Sequence, residues 1–306
     1  MFRGYKDKDW KVVMGKECLD HAIFRSLSEA AEFYCVLSDN IMSFVTMCVK
    51  DSPIINYDCY FFEALANSIV SIKAILELGH VTDAKALLRN LFDETIVNLY
   101  FMARLKKKDD EFVNSLIDAG FLIQGLQAEQ LYDVNVSDWL AGNKTKELKK
   151  GLRYEGMRDF LKQEASIAGI VEYLDSSGCK VMREWLNDAV HLNHYKAVLL
   201  NNGLICIDDK RKLAVDKLKS AFDEIVAFHV TCVFCLKPNY LMSSDYGDYM
   251  ECGMTPPEGC QYDVAPFIQS FLDETVYKTM PDWAEKLVAA VKPMRLLAIE
   301  GVAGQN

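Results

Sequence analysis

Apolar residues recur three and four positions apart through most of this chain, and that spacing commits it to helices. Over residues 18–50 the apolar positions are Ile23, Leu27, Ala30, Ala31, Tyr34, Leu37, Ile41, Phe44 and Val45, and Ser52-Pro53 closes the run. A second helix is predicted over about 57–78, with Gly79 placed to take the left-handed position beyond its last turn. Thr82 or Asp83 is suited to cap a third helix reaching about Arg104, and the short turn between the two predicts an antiparallel helical hairpin.

The pattern continues with a fourth helix over 109–131, weakened at Gly120 and Gly125, and a polar connection over 134–142 that contains Trp139. A basic helical segment carries Lys144, Lys146, Lys149, Lys150, Arg153 and Arg158. Residues 166–174 suit a short helix and 180–200 a longer one, which Asn201-Asn202-Gly203 stops; 204–207 suit a short strand or hairpin arm. After a long helix over 210–236 comes the least regular stretch, 237–262, rich in proline and glycine. It reads as a lid, a partner-binding segment or a partly disordered stretch, with Tyr240, Tyr246 and Tyr249 expected to be exposed. Helices over 264–277 and 281–300 close the chain. The predicted fold class is all-α: a multi-helix bundle over 1–236, and over 237–306 one long irregular loop with two C-terminal helices packed on that bundle.

Length allows a large core, with about two domains as a prior. A net charge of −10 disfavours nucleic acid and anionic membranes overall, so any phosphate-binding role needs a local basic patch. The polar start, Met1-Phe2-Arg3-Gly4-Tyr5-Lys6, lacks the apolar run of a secretory leader. The most apolar stretches, 61–78 and 221–236, contain Glu63 and Lys73, or Asp223, Glu224 and His229, and read as buried helices, with no membrane partner. Ten cysteines scattered through helical patterns suit reduced thiols in a cytoplasmic chain.

Two stretches place charged or titratable groups four residues apart inside apolar runs, where they are costly to bury unless paired or used. In 87–94, Arg89 and Asp93 sit just outside the core stripe of Leu87, Leu88, Leu91, Phe92, Thr95, Leu99 and Met102. Ile96, Val97 and Tyr100 share their face, so another helix or a ligand should cover it. In 186–194, Asn187, His191 and His194 share a face, with Asp188 and Tyr195 at its edge. An imidazole there is able to move protons near neutral pH. Asp188-x-x-His191-x-x-His194 also has helical metal-ligand spacing, but one helix seldom closes a site, and His21 or His80 would have to join it.

His229 with Cys232-x-x-Cys235 invites a zinc reading, yet the run from Phe228 to Cys235 is apolar and has no turn, which favours buried thiols. The basic segment is open to RNA phosphates or is simply a solvated face. No Gly-rich phosphate loop, nucleophile elbow or calcium-loop pattern is present, and no cofactor is called for.

The run Ala86-Leu87-Leu88-Arg89-Asn90-Leu91-Phe92-Asp93-Glu94, continued by Val97-Asn98-Leu99-Tyr100, resembles a bacterial helical family that carries Arg-x-Leu-[Leu/Phe]-Glu followed by apolar-Asn-apolar-Tyr. Asn187-Asp188-Ala189-Val190-His191 is similar to that family's second block, which ends in Val-His. Such bundles resemble HEPN domains, often defence-associated. The resemblance implies a HEPN-like core, a homodimer, RNA as partner and metal-independent endoribonuclease chemistry. His191 would be acid/base, Arg89 or Arg183 the phosphate clamp, Asn187 an orienter and Asp93 the polar neighbour of Arg89, with His194, Arg183 and Tyr195 contacting substrate. The chain departs from the pattern in the seven residues between Arg183 and His191, where HEPN ribonucleases have four to six, and in Asp93, where the family has Glu. Two other classes remain open: a non-catalytic interaction or sensor protein in which Arg89, Asp93 and His191 are structural, and a metal-dependent helical-bundle enzyme.

Overall fold

The computed structural model describes residues 19–42, 45–46, 54–118, 133–191, 195–201, 208–292 and 294–297. The first helices are α1 (Ile23–Ile41), α2 (Tyr57–Glu77) and α3 (Val81–Asp118), followed by α4 (Val134–Leu140), α5 (Lys146–Gly151), α6 (Tyr154–Leu161) and α7 (Ala168–Val171). Then come α8 (Ser177–His191), α9 (Tyr195–Leu200), the long α10 (Asp208–Leu236) and α11 (Asp245–Glu251). Helix α12 (Pro266–Phe271) continues through a π-turn into α13 (Tyr277–Thr279), and α14 (Pro281–Ala290) follows. Extended structure among the described residues is one antiparallel pair, β1 (Val45–Thr46) with β2 (Ile54–Ile55), and a lone bridge between Met242 and Val264. The fold is an all-α bundle.

The hairpin forms as its turn chemistry requires. Gly79 sits at φ +80°, its N–H donates to the Leu76 carbonyl at 2.8 Å, and the His80 N–H reaches the Ile75 carbonyl at 3.1 Å. Those two bonds close the end of α2 in a Schellman motif, which needs a residue without a Cβ cost at positive φ. At the start of α3 the expected caps are displaced. The helix begins at Val81, and the Thr82 N–H donates to Asn201 Oδ1 at 2.8 Å, so a side chain at the end of α9 does the capping.

Several boundaries differ from expectation: α1 ends at Ile41, Val45–Thr46 of the predicted helical run pair as β1, and α14 ends at Ala290. The predicted third and fourth helices are one, because nothing after Arg104 breaks the ladder and the pairs Lys106–Asp110 (2.8 Å) and Lys108–Glu111 (2.7 Å) span the join. Residues 119–131, the rest of the predicted fourth helix, and the candidate strand 204–207 lie outside the described residues. The predicted polar connection at 134–142 is helix α4, with Asp133 Oδ1 accepting from the Val136 N–H at 3.0 Å as its N-cap. The predicted helix over 180–200 is described as α8 and α9, and α8 starts early because Ser176 Oγ caps the Cys179 N–H at 3.1 Å.

Helix α3 is the axis of the bundle, packing on α2, α4, α6, α8, α9 and α10. From Thr95 to Leu105 it is buried almost all round, as is α10 from Ile225 to Leu236, the behaviour of helices enclosed by neighbours. Helix α2 has the length and apolarity to cross a membrane, yet Phe62, Leu65, Ile69, Ile72 and Leu76 are buried where it packs on α1 and α3, and its Asp58 is buried too. One connected set of buried apolar side chains runs from Ile23 to Leu296, so the residues after 236 share the core of those before them.

A chain of polar groups threads this core. Tyr34 Oη donates to His229 Nδ1 (2.7 Å), and His229 Nε2 meets Asn98 Oδ1 (2.9 Å). Asn98 Nδ2 donates to Asp58 Oδ1 (3.3 Å), and Tyr240 Oη donates to Asp58 Oδ2 (2.8 Å) while accepting from Asn56 Nδ2 (2.7 Å). The donors all run one way, towards Asp58, which fixes the imidazole as the neutral Nε2–H tautomer. Burial lowers the His229 pKa to about 3 and raises that of Asp58, against the pull of its hydrogen bonds and Lys237. The network locks α1, α2, α3 and α10 in register. It also anchors the stretch after α10, so Tyr240, expected on an exposed loop, is buried at 3% exposure. That stretch holds a 3₁₀ turn (Pro238–Leu241), α11 and a second 3₁₀ turn (Cys260–Tyr262).

Candidate functional site

The two stretches singled out from sequence meet where α3 crosses α8. Arg89 Nε donates to Asn187 Oδ1 at 2.7 Å, and Arg89 Nη1 is in ion-pair contact with Asp93 Oδ1, out of hydrogen-bond alignment. Arg89 is 12% exposed and Asp93 46%. The ion pair is therefore open to solvent on the Asp93 side, where such pairs contribute about 0–1 kcal/mol. The covered bond to Asn187 is the stronger tie, since hydrogen bonds to a charged group contribute about 1.5–3 kcal/mol. The face on which Ile96 and Tyr100 lie is buried, as the sequence pattern required.

Arg183, one turn before Asn187, lies on the same seam. Its guanidinium carbon is 3.4 Å from the Tyr154 ring centroid and 5.9 Å from that of Phe92, and the Arg89 carbon is 5.7 Å from the same Phe92 ring. Phe92 is thus flanked by both arginines. Burial is the main cause that pushes the Tyr154 hydroxyl up to about 12, against the lowering effect of Arg183. Arg183 Nε and Tyr154 Oη are buried without a hydrogen-bond partner among the described residues. Unmet donors of this kind carry a cost until water or a ligand supplies the partner.

A third cation went unnoticed in the sequence. Lys85, one turn before Arg89, is 2% exposed, with its Nζ 4.4 Å from the Trp185 ring centroid, while Lys217 of α10 approaches that ring at 4.7 Å. Burial lowers the Lys85 pKa to about 8, with Asp188 opposing and Lys217 adding to the shift. The signal was available in the i,i+4 ladder Lys85–Arg89–Asp93, but a lysine near a helix start ordinarily reads as solvated. Lys85 and Lys217 meet at Trp185, where Asp188 acts on Lys85, and Arg89 and Arg183 flank Phe92, where Asp93 pairs with Arg89.

His191 ends α8 on the exposed surface, one turn beyond Asn187, and Tyr195 opens α9 at 72% exposure. His194 lies outside the described residues. Among the described residues no group of three His, Cys, Asp or Glu side chains is placed to hold a metal ion. The histidines offered as extra ligands are engaged elsewhere: His21 with Asp216 (2.7 Å) and His80 with Asp83 (3.3 Å). Cys232 and Cys235 lie buried in the unbroken α10, with Cys235 pushed up to about 12 by burial, so neither resembles a zinc thiolate. In the basic segment Lys144, Lys146, Lys149, Lys150 and Arg153 are exposed, and Arg158 pairs with Asp159 (2.8 Å) and Asp175 (3.1 Å).

Compared with family models, curated proteins and solved structures, the chain matches none.

Proposed function

We propose that this chain is a cytoplasmic, HEPN-like protein that acts on RNA in defence against foreign nucleic acid, as a homodimer, with the α3–α8 seam as its working site. The observation that carries this reading is that Arg89, which donates to Asn187, and Arg183 flank the Phe92 ring, with Asn187 one turn and Arg183 two turns before the exposed His191. An acidic chain needs such a local patch to meet a phosphate.

On this reading Arg89 and Arg183 hold a backbone phosphate, Asn187 orients it, and Asp93 keeps Arg89 extended. Tyr195 and His194 contact the substrate, the exposed phenol being suited to stack on an unpaired base. The 2′-oxygen forms its bond to phosphorus as the bond to the 5′-oxygen breaks; one group removes the 2′ proton and another protonates the leaving oxygen. His191 serves in one of those roles, and the arginines meet the charge that builds on the phosphoryl oxygens.

The test is incubation of purified protein with mixed single-stranded RNAs in excess chelator. Products ending in 2′,3′-cyclic phosphate are expected, and His191→Ala should slow their formation about 10²–10⁴-fold with unchanged melting. Intact RNA in the presence of the parent protein contradicts the proposal. A second reading, a non-catalytic interaction protein, draws on the engagement of Arg89 with Asp93 and Asn187 inside the bundle. Under it the parent protein leaves RNA intact, and His191→Ala changes neither stability nor RNA.

A further inference from the structure

Outside that seam, a pocket of about 370 Å³ opens between α2, α3 and α4, with Tyr57, Tyr60, Phe61, Trp139, Leu140 and Glu94 in its lining. We propose that it binds a small organic cation with an apolar body, a quaternary or fully methylated ammonium, held against Tyr60 and Phe61 with Glu94 as counter-charge.

The walls are aromatic. Phe61 and Trp139 stack at 5.4 Å with 14° between their planes, and Phe101 covers Trp139 from behind at 4.6 Å, so the indole is a packed wall that holds Phe61 in place, and Tyr60 and Phe61 are the rings left to meet a ligand. Tyr60 stands at the mouth with 61% exposure, a large apolar side chain left uncovered. Aromatic faces carry a negative quadrupole that attracts ammonium groups, most strongly once water is excluded. Glu94 is the one charged residue among the described lining. Its Oε2 accepts from Ser68 Oγ at 2.9 Å, which fixes the carboxyl at the pocket.

Charge then selects the ligand class. An anion would meet both the carboxylate and the ring faces unfavourably. An uncharged hydrocarbon would leave a half-buried carboxylate that has no ion-pair partner among the described residues. An ammonium satisfies both walls, and a net charge of −10 raises the local concentration of cations. Burial holds the Glu94 carboxyl above its usual range, Asp93 adding to the shift and Ser68 opposing it, so bound cation should draw it back down. Affinity should accordingly weaken as pH falls through that raised range.

Isothermal titration of the full chain with benzyltrimethylammonium, benzyl alcohol and 3-phenylpropionate separates the possibilities. The cation should bind saturably, about tenfold tighter than the alcohol, and the anion not at all. Glu94→Gln, which keeps a partner for Ser68, and Tyr60→Ala, at an exposed position, should each weaken the cation about tenfold while melting like the parent. Equal affinity for cation and alcohol, no heat from any of the three, or Glu94→Gln binding as the parent does would each overturn the proposal.

Discussion

The imidazole of His229 makes the stability of this fold depend on pH in a way that can be worked out in advance. The unfolded chain takes up a proton on a histidine near pH 6.5, whereas the folded chain resists until about 3, since burial in a dry core penalises the charged ring. The folded pKa is depressed, so the stability this group contributes is whole above pH 6.5 and drains as pH falls towards 3. Between pH 7 and pH 5 the loss is about 2 kcal/mol, from about 1.4 kcal/mol for each pH unit beyond 6.5. In a chain of 306 residues that corresponds to a fall of about 3 °C in melting temperature, at about 2.1 cal/mol/K of unfolding entropy per residue. Other histidines and carboxylates titrate too. Asp58, raised by burial, works with the opposite sign where the folded chain takes up its proton first. The quantity to measure is therefore a difference: urea or thermal unfolding at pH 7, 6 and 5 for the parent and for His229→Gln. The variant should be less stable at pH 7 and should lose the part of the pH slope due to His229. Equal slopes in the two proteins would refute a neutral, hydrogen-bonded imidazole in the core.

Two further substitutions probe how the bundle is tied. Arg104 donates from Nε to both Asp133 oxygens at 3.0 Å and from Nη1 to Tyr100 Oη at 3.0 Å, so Arg104→Met strands a carboxylate that is 6% exposed. Chemical unfolding should show a loss of about 3–5 kcal/mol, and Arg104→Lys should recover only part of it because the fork geometry is gone. Gly79→Ala places a Cβ at φ +80° in the Schellman turn and should cost about 1 kcal/mol by thermal melting.

Much of the architecture was legible because helix periodicity and turn residues act locally. Gly79 announced the end of α2, and the apolar run through Phe228 and Cys235 announced a buried helix. What escaped depends on contacts distant in sequence. The cap of α3 comes from Asn201, which no local pattern connects to Thr82. The N-cap role of Asp133 was hidden because the residues after it look polar, and only the packing of Trp139 on Phe61 and Phe101 shows why they form a helix. Tyr240 lay among glycines and prolines and read as exposed, yet Asp58, 182 residues away, draws its hydroxyl into the core. At the seam the spacing of Arg89, Asp93 and Asn187 marked side chains that do meet, whereas His191 lies exposed at the end of α8. Lys85 and Trp185 were missed because a lysine turned inward on a tryptophan is legible only from the tertiary contact.

The joining of those two faces is best tested by a double-mutant cycle. Unfolding free energies of the parent, Arg89→Met, Asn187→Ala and the double variant give the coupling between the two side chains directly. A guanidinium donating to an amide oxygen at 2.7 Å in a covered position should show about 1.5–3 kcal/mol of coupling. Effects that simply add, within about 0.5 kcal/mol, would mean that α3 and α8 do not share this seam and that the candidate site has no foundation.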